Sequence, residues 1–349
     1  MKGQNLDYHE NSRQYYGDVL EQSSDLKTSA CCPAKAPPNW LKNAYARLPD
    51  EILAKFYGCG SPLPLDLEGT TVLDLGCGTG RDVFTAAQFV GPNGKVIGVD
   101  LLDSQLDVAK RYAPQLTKEF DLPESAIRFA KGPLENLAAF DIEDESVDIV
   151  ISNCVLNLCP DKSKVLAEII RVLKPGGELY FSDVFANRRL STELREDPIF
   201  HGECLGGAWY WEDFRRHLAG LNIPDYRIMS RSPLDIEDEE MARRSDGVQF
   251  ESVTIRAFKL DSLEDRCEDY GQTVIYGGSV PSAPRIFELD PSHRFEKGRP
   301  DRVCGNSAAM IQETRFAKHF KVVGDRNEHF GLFDCAPQSS EQSESGSCC

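Results

Sequence analysis

From residue 71 onward, short apolar runs alternate with segments in which apolar residues recur every three to four positions. The runs are typical of buried strands, and the spaced segments are typical of amphipathic helices. Strands are predicted at 71–75, 95–100, about 126–130, 147–152 and 178–182, and helices at about 81–90, 104–119 and 162–173. This alternation favours a parallel sheet with helices on both faces, which is a doubly wound α/β fold.

The regions on either side of this pattern differ from it. Residues 1–60 show helical spacing that is interrupted by prolines between Cys32 and Pro38. A helix is predicted near 211–219 and strands near 225–231 and 251–259, followed by short strands, glycines and prolines. Five regions are predicted: a helical N-terminal segment (1–60), the ligand-binding α/β domain (61–185), a segment that ends the sheet (186–260), a small α+β module (261–337), and a tail (338–349) expected to be disordered.

Charge and cysteine content narrow the possible partners. The 349 residues include 39 basic and 56 acidic side chains, for a net charge of −17. This charge disfavours nucleic acid and anionic membranes as partners. The first twenty residues are polar, and we expect a cytoplasmic monomer without a membrane span. Twelve cysteines without a CxxC pair favour reduced, reactive thiols over structural disulfides or a zinc knuckle.

The segment Val72–Gly80 predicts a strand that runs into a glycine turn. Gly76, Gly78 and Gly80 allow the backbone to turn tightly and to lie against a ligand. The helix that follows would point its first amide groups at that ligand. The spacing is GxGxG with Asp74 two residues before the first glycine, whereas the dinucleotide fingerprint is GxGxxG.

A second acid completes this prediction. Asp100 ends the strand at 95–100 and is placed to accept hydrogen bonds from ribose hydroxyls. Together with the glycine loop, it favours S-adenosylmethionine over a dinucleotide, and a glycine turn without a ligand is the remaining alternative.

Two cysteines are expected at the same edge of the sheet, because the carboxyl ends of neighbouring parallel strands share one crevice. Cys154 follows strand 147–152 and should lie beside the methyl donor. Cys204 lies in a glycine-flanked loop, Gly202–Gly207, after the fifth strand. A single cysteine at such a position is more often a packing residue, but two of them favour chemistry.

The order of these motifs resembles that of the arsenite S-adenosylmethionine methyltransferases. The resemblance runs from about Tyr15 to Val280 and is weaker to about Phe320. It is carried by Tyr15–Gly17, Leu26–Cys31, Tyr57–Gly60, Asp74–Asp82, Ser152–Leu158 and Gly202–Gly207. The family resemblance implies a Rossmann-like class I methyltransferase sheet with a helical N-terminal extension and a small C-terminal module.

The resemblance also implies roles for individual residues. Cys154 and Cys204 match the thiolates that hold trivalent arsenic throughout the cycle, and Cys59 matches a further ligand or relay thiol. Cys31 matches the N-terminal relay cysteine, and the adjacent Cys32 leaves open which of the two acts. The implied donor-binding positions are Asp74, Gly76, Gly78, Asp100, Leu134, Glu135 and Asn153. Of these, Glu135 is expected near the adenine or, alternatively, only opens a helix.

The implied chemistry suits these residue types. Trivalent arsenic is a soft ion that prefers thiolates to carboxylates or imidazoles. Its lone pair can attack the sulfonium methyl without a general base, so positioning is the main catalytic contribution. Methylation oxidises arsenic, and two enzyme thiols that close to a disulfide return two electrons. Glutathione or thioredoxin would then reset the relay of Cys59 with Cys31 or Cys32.

Other residues remain open. Tyr57 is either a gate over the arsenic site or a core aromatic, and Cys77 is expected to be a bystander in the glycine loop. The pair Cys348-Cys349 either captures arsenic or has no role. No role is predicted for Cys159, Cys267, Cys304 and Cys335. The alternative functions are methylation of an organic small molecule and metalloid binding without catalysis.

Overall fold

The computed structural model describes residues 7–20, 28 and 37–335. The helices are α1 (Tyr8–Gln14), α2 (Asn39–Tyr45), α3 (Asp50–Ala54), α4 (Arg81–Val90), α5 (Asp103–Glu119), α6 (Lys162–Val172), α7 (Thr192–Arg195), α8 (Pro198–Gly202), α9 (Trp211–Gly220), α10 (Glu239–Arg244) and α11 (Gly305–Gln312). A π-helical turn (Tyr15–Val19) continues α1. Short 3-10 turns lie at Glu124–Ala126, Leu137–Phe140, Leu156–Leu158 and Arg315–His319.

The strands follow the predicted order. They are β1 (Thr71–Leu75), β2 (Lys95–Asp100), β3 (Ile127–Lys131), β4 (Val147–Asn153), β5 (Leu173–Ala186), β6 (Trp209–Tyr210), β7 (Tyr226–Leu234), β8 (Phe250–Phe258), β9 (Thr273–Tyr276), β10 (Ile286–Asp290), β11 (His293–Glu296), β12 (Pro300–Arg302) and β13 (Phe320–Val323). The main sheet has the order β3-β2-β1-β4-β5-β8-β7, with β6 beside β5. Strands β1–β5 pair in parallel, and β8 pairs antiparallel with β5 and β7.

Alternate residues of the central strands face two different cores. Val72 packs with Val83 and Phe84 of α4 on one face. Leu73 packs on the other face, in a core that includes Val165 of α6 and Phe214 of α9. Both faces of the sheet are therefore covered, which explains why β1 is almost continuously apolar.

The register brings the strand ends to one edge. Leu75 of β1 lies beside Val99 of β2 and Ser152 of β4, and Asn153 lies beside Ser182 of β5. The loops that leave β1, β2, β4 and β5 consequently start side by side, as expected for a ligand crevice in an open parallel sheet.

The predicted boundaries agree with the structure to within a few residues, except near Pro175. Helix α6 ends at Val172, and β5 begins at Leu173 rather than at 178. Leu173 pairs with Val147 of β4 ahead of a register shift. Gly176 N donates to Lys259 O at 2.8 Å, and Lys259 N donates to Gly177 O at 2.9 Å. Pairing with β4 and with the chain beyond β8 thus lengthens the strand.

The C-terminal residues form smaller sheets over a separate core. Strand β9 lies between β12 and β13, β10 pairs with β11, and aromatic side chains including Phe287 and Phe316 fill the core. Glu178 of β5 is fully buried and pairs with both Arg256 and Arg315, each at 2.5 Å, which ties this part to the main sheet. The five predicted regions stay a prediction. No helix in the described ranges is both long and apolar enough to span a membrane.

Candidate active site

A cleft of about 1010 Å³, counting the space open to solvent, lies at the carboxyl edge of the parallel strands. The glycine loop and the ends of β2 and β4 line it, and α1 contributes His9 and Ser12. The predicted donor-binding residues among its lining are Asp74, Gly76, Gly78, Asp100, Leu134 and Asn153. Cys154 lines the same cleft.

Asp100 holds the glycine loop in place. Its carboxylate accepts hydrogen bonds from Gly78 N at 2.8 Å and from Leu102 N at 2.9 Å. Gly76 and Gly78 have φ values of +73° and +54°, a left-handed backbone that favours glycine. A Cβ at Gly76 would come within 2.3 Å of Val155, so the loop also requires glycine for space.

Acidic groups dominate the electrostatics of the cleft. Asp74 is buried, and this burial raises its pKa well above the usual range, with further increases from the charges of Asp82 and Asp100. Arg81 pairs with Asp82 at 2.7 Å. A cationic ligand would offset this burial and repulsion, whereas an anionic one would increase the repulsion, and S-adenosylmethionine fits this requirement better than an anionic dinucleotide.

Asn153 connects the end of β4 to the Tyr57–Gly60 segment. Its Oδ1 accepts from Gly60 N at 3.1 Å, and its Nδ2 donates to Gly60 O at 2.9 Å. The Arg81 guanidinium lies over the Phe56 ring and also donates to Gly60 O at 3.2 Å. These contacts place Cys59 against the strand edge that carries Cys154.

Cys59, Cys154 and Cys204 meet in one buried cluster, with exposures of 3%, 4% and 3%. Cys59 and Cys154 form a disulfide whose Cα atoms are 5.8 Å apart. The Cys204 Sγ donates to Cys154 O at 3.2 Å, and Tyr16 OH lies 3.6 Å from that Sγ. The structure therefore brings together three of the predicted thiols, two of them in oxidised form.

Two of these cysteines have an unusual backbone. Cys154 and Cys204 have φ values of +56° and +60°. Such a conformation costs a non-glycine residue about 1–3 kcal/mol and is concentrated at functional sites. Two strained cysteines in one cluster point to a constraint other than packing.

The loop of Cys204 is tied to its neighbours on both sides. Gly207 approaches the backbone of Asn157 so closely that a Cβ would lie 1.8 Å from Asn157 O. The adjacent Glu203 is buried and accepts hydrogen bonds from Tyr15 OH and, at 3.0 Å, from Thr28 Oγ1. The N-terminal chain is thus anchored next to Cys204.

The empty space of the cleft fits the methyl donor. A Cβ at Gly78 would meet only Gln105 Oε1, at 3.8 Å, so this glycine faces open space. Gln105 Oε1 and both Glu135 carboxylate oxygens are buried and lack hydrogen-bond partners among the described residues. His9 lies 3.8 Å from Glu135. These unpartnered acceptors match the N–H donors of S-adenosylmethionine, which are its ammonium group and the amino group of its adenine.

Comparison with known proteins identifies the family. A methyltransferase domain family matches residues 66–220, and the family described as the arsenite methyltransferase C-terminal domain matches residues 270–345. An arsenite methyltransferase from Aquipseudomonas alcaligenes is 50% identical over 326 residues, which cover 93% of this chain and 94% of the relative. The chain belongs to the arsenite methyltransferase family.

Other members of the arsenite methyltransferase family match over similar lengths. The arsenite methyltransferase of Rattus norvegicus is 38% identical, covering 89% of this chain and 84% of its own. The crystal structure of an arsenic(III) S-adenosylmethionine methyltransferase from Chlamydomonas reinhardtii superposes with a TM-score of 0.82, at 44% identity over 86% of this chain and 100% of that chain. The predicted resemblance and the class I methyltransferase sheet are confirmed.

The sequence-based site is only partly covered by the structure. Cys31, Cys32 and the terminal pair Cys348-Cys349 lie outside the described residues. Tyr57 lines the cleft, and its ring lies 5.6 Å from that of Tyr16. Glu203 and Gln105 were not predicted as site residues from the sequence. Glu203 directly precedes Cys204 within the Gly202–Gly207 motif, so its position could have indicated a role in the site. Nothing in the local sequence distinguishes Gln105.

Proposed function

We propose that this protein transfers methyl groups from S-adenosylmethionine to trivalent arsenic, forming mono- and dimethylated products. The observation that carries the proposal is the buried cluster of Cys59, Cys154 and Cys204 beside the acidic glycine-loop cleft. Relatives of this chain are named arsenite methyltransferases, which supports trivalent arsenic as the substrate.

In this proposal the two halves of the site have separate tasks. The donor supplies the methyl group, and Asp100, Asn153 and the glycine loop would hold it against the carboxyl edge. The thiolates of Cys154 and Cys204, with Cys59 as a third ligand, would hold arsenic with its lone pair toward the methyl. Alignment of nucleophile and methyl is then the main catalytic contribution.

In this proposal the cysteines supply the two electrons that return arsenic to the trivalent state. Attack by the arsenic lone pair forms an As–C bond, breaks the S–CH3 bond of the donor and leaves arsenic pentavalent. Two sulfur ligands then leave as a disulfide and return two electrons to arsenic. We assign this disulfide to Cys59 and Cys154, the pair that is joined in this structure. Cys154 would then hold arsenic until the methyl is transferred, rather than throughout the cycle. This disulfide must be reduced before arsenic can bind in a new cycle.

The anchoring of Thr28 supports a relay role for the N-terminal cysteines. Thr28 Oγ1 donates a hydrogen bond to Glu203, the residue before Cys204, and Thr28 pairs with Ile236 through a β-bridge. Cys31 follows Thr28 by three residues, and three residues of extended chain span at most about 11 Å. Cys31 therefore lies within about 11 Å of Thr28. A thiol there would attack the Cys59–Cys154 disulfide, and glutathione or thioredoxin would reduce the new disulfide.

The direct experiment incubates purified protein with arsenite, S-adenosylmethionine and a thiol reductant, and measures arsenic species by chromatography with elemental detection. Mono- and dimethylated arsenic are expected. Tight donor binding without methylated arsenic would contradict the proposal and favour an organic acceptor. Arsenic binding without measurable donor binding would instead favour a metalloid-binding protein.

The relay makes a separate prediction for Cys31→Ser and Cys32→Ser. Loss of the acting cysteine is expected to leave the first turnover of reduced enzyme intact and to stop later turnovers, because the disulfide is then not reopened. Rapid-quench measurement of product per enzyme tests this, and the variant of the other cysteine is the control. Sustained turnover in the double variant with thioredoxin present would refute the relay.

A further inference from the structure

A second group of cysteines lies outside the cleft, in the C-terminal part of the chain. Cys267, Cys304 and Cys335 have sulfur atoms that all lie within 4.8 Å of one another. Among the described residues, these three cysteines form a group whose ligand atoms lie close enough together to bind one metal ion. Cys267 and Cys304 are buried, and Cys335 is half-buried.

Backbone contacts bring these three cysteines together from distant segments. Phe333 N donates to Cys267 O at 2.7 Å, and Glu268 forms a β-bridge with Leu332, which carries Cys335 toward Cys267. Gly305 N donates to Glu268 O at 2.9 Å, which brings the start of α11 to the same point. The arrangement is therefore built by the fold rather than by chance proximity of flexible side chains.

The surroundings favour thiolates. Cys304 is the N-cap of α11, and its Sγ accepts from Ser307 N at 3.4 Å. Arg227 of β7 is buried and donates to Ser307 Oγ at 3.2 Å. Its Nε has no hydrogen-bond partner among the described residues, and its charge acts on Cys304 and Cys335. Arg227 also pairs with Asp225 at 3.0 Å and with Asp290 at 3.5 Å. The Ser307 amide donor and the nearby guanidinium favour the thiolate, the form that binds soft ions.

We propose that Cys267, Cys304 and Cys335 form a second binding site for trivalent arsenic, separate from the methyl-transfer cleft. Three sulfur ligands suit arsenic, which binds thiolates in a three-coordinate pyramid. A structural zinc ion would instead require four ligands. Soft thiolates from separate segments give the site its selectivity over hard cations.

Occupation of this site depends on reduction, because Cys267 is disulfide-bonded in this structure. A dithiol reductant transfers two electrons to that disulfide, becomes a disulfide itself and releases the Cys267 thiol. Arsenous acid then exchanges its three hydroxyl groups for the three thiols, and three water molecules leave. The oxidation state of arsenic does not change.

The test uses the full chain with Cys31, Cys32, Cys59, Cys154, Cys204, Cys348 and Cys349 replaced by serine. This background lacks the proposed methylation thiols, and binding is measured without S-adenosylmethionine, so the result is independent of the proposed function. After reduction and gel filtration with arsenite, we expect about one arsenic atom per chain, with X-ray absorption showing about three As–S bonds.

Cys304→Ser in this background is expected to abolish the bound arsenic. Serine is itself a preferred N-cap, so α11 keeps its cap and thermal melting should be little changed. Cys335→Ser provides a second variant at a less buried position, and Cys159→Ser is the matched control that should retain arsenic. Failure of the background protein to retain arsenic, retention in Cys304→Ser, or displacement of arsenic by equimolar zinc would overturn the proposal.

Discussion

Replacement of Cys204 by serine is expected to lower the rate of arsenite methylation about 100-fold, the size of loss that follows when a reacting group is misplaced. Serine has nearly the same shape and can still donate to Cys154 O, as the Cys204 Sγ does at 3.2 Å. Its hydroxyl is a hard ligand that binds arsenic poorly. Cys154→Ser should have a similar effect, because it removes both a sulfur ligand and the Cys59–Cys154 disulfide. Initial rates with saturating donor give the measurement.

Donor binding separates this loss from general damage. Calorimetry should show that both serine variants bind S-adenosylmethionine as the unchanged protein does. Cys304→Ser is the matched control, because Cys304 is also a buried cysteine but lies at the start of α11, outside the cleft and the cluster of three cysteines. If Cys154→Ser and Cys204→Ser keep most of their arsenite methylation, the cysteine cluster is not the substrate site.

Replacement of Asp100 by alanine is expected to weaken S-adenosylmethionine binding about 10- to 100-fold, since each buried N–H that loses its acceptor costs about 1–3 kcal/mol. The carboxylate accepts from Gly78 N and Leu102 N, so its loss releases the glycine loop from the end of β2. The substitution also removes the predicted acceptor for the ribose hydroxyls. Part of this free-energy cost lowers the stability of the fold, and the rest lowers the affinity for the donor.

Two measurements distinguish these parts. Thermal melting without ligand reports the loss of stability, and calorimetry well below the melting temperature reports the loss of affinity. Asp103→Ala is the control, because Asp103 is exposed at the start of α5 and pairs with Lys131. It should bind the donor normally. Unchanged donor affinity in Asp100→Ala would show that the loop does not depend on this carboxylate.

Much of the donor half of the site could be predicted because it is local in sequence. The apolar run of β1, the glycines that follow it and the acid that ends β2 lie within 72–100, and parallel pairing alone brings them together. Gln105 was missed because a polar residue in an amphipathic helix carries no signal of its own. Its unpartnered oxygen becomes visible only when α5 packs beside Gly78.

The thiol half was predicted through motifs rather than through contacts. Cys154 follows a strand, and Cys204 lies in a glycine loop, and both positions suggested the same edge of the sheet. The left-handed backbone of both cysteines was not predictable from the sequence, because φ depends on how each loop is held. No role was predicted for Cys267, Cys304 and Cys335, since their spacing matches no metal motif, yet the fold gathers their sulfurs.

The sequence by itself determined the order of strands and helices, the glycine loop with Asp100, and the family through its ordered cysteine motifs. These features follow from local periodicity, backbone conformation and chemical type, which any short segment carries. Only the tertiary structure decided which thiols meet. Cys59 and Cys154 are 95 residues apart, and Thr28 reaches Glu203 across 175 residues. Such contacts depend on sheet register and loop packing, which are set by the whole chain at once.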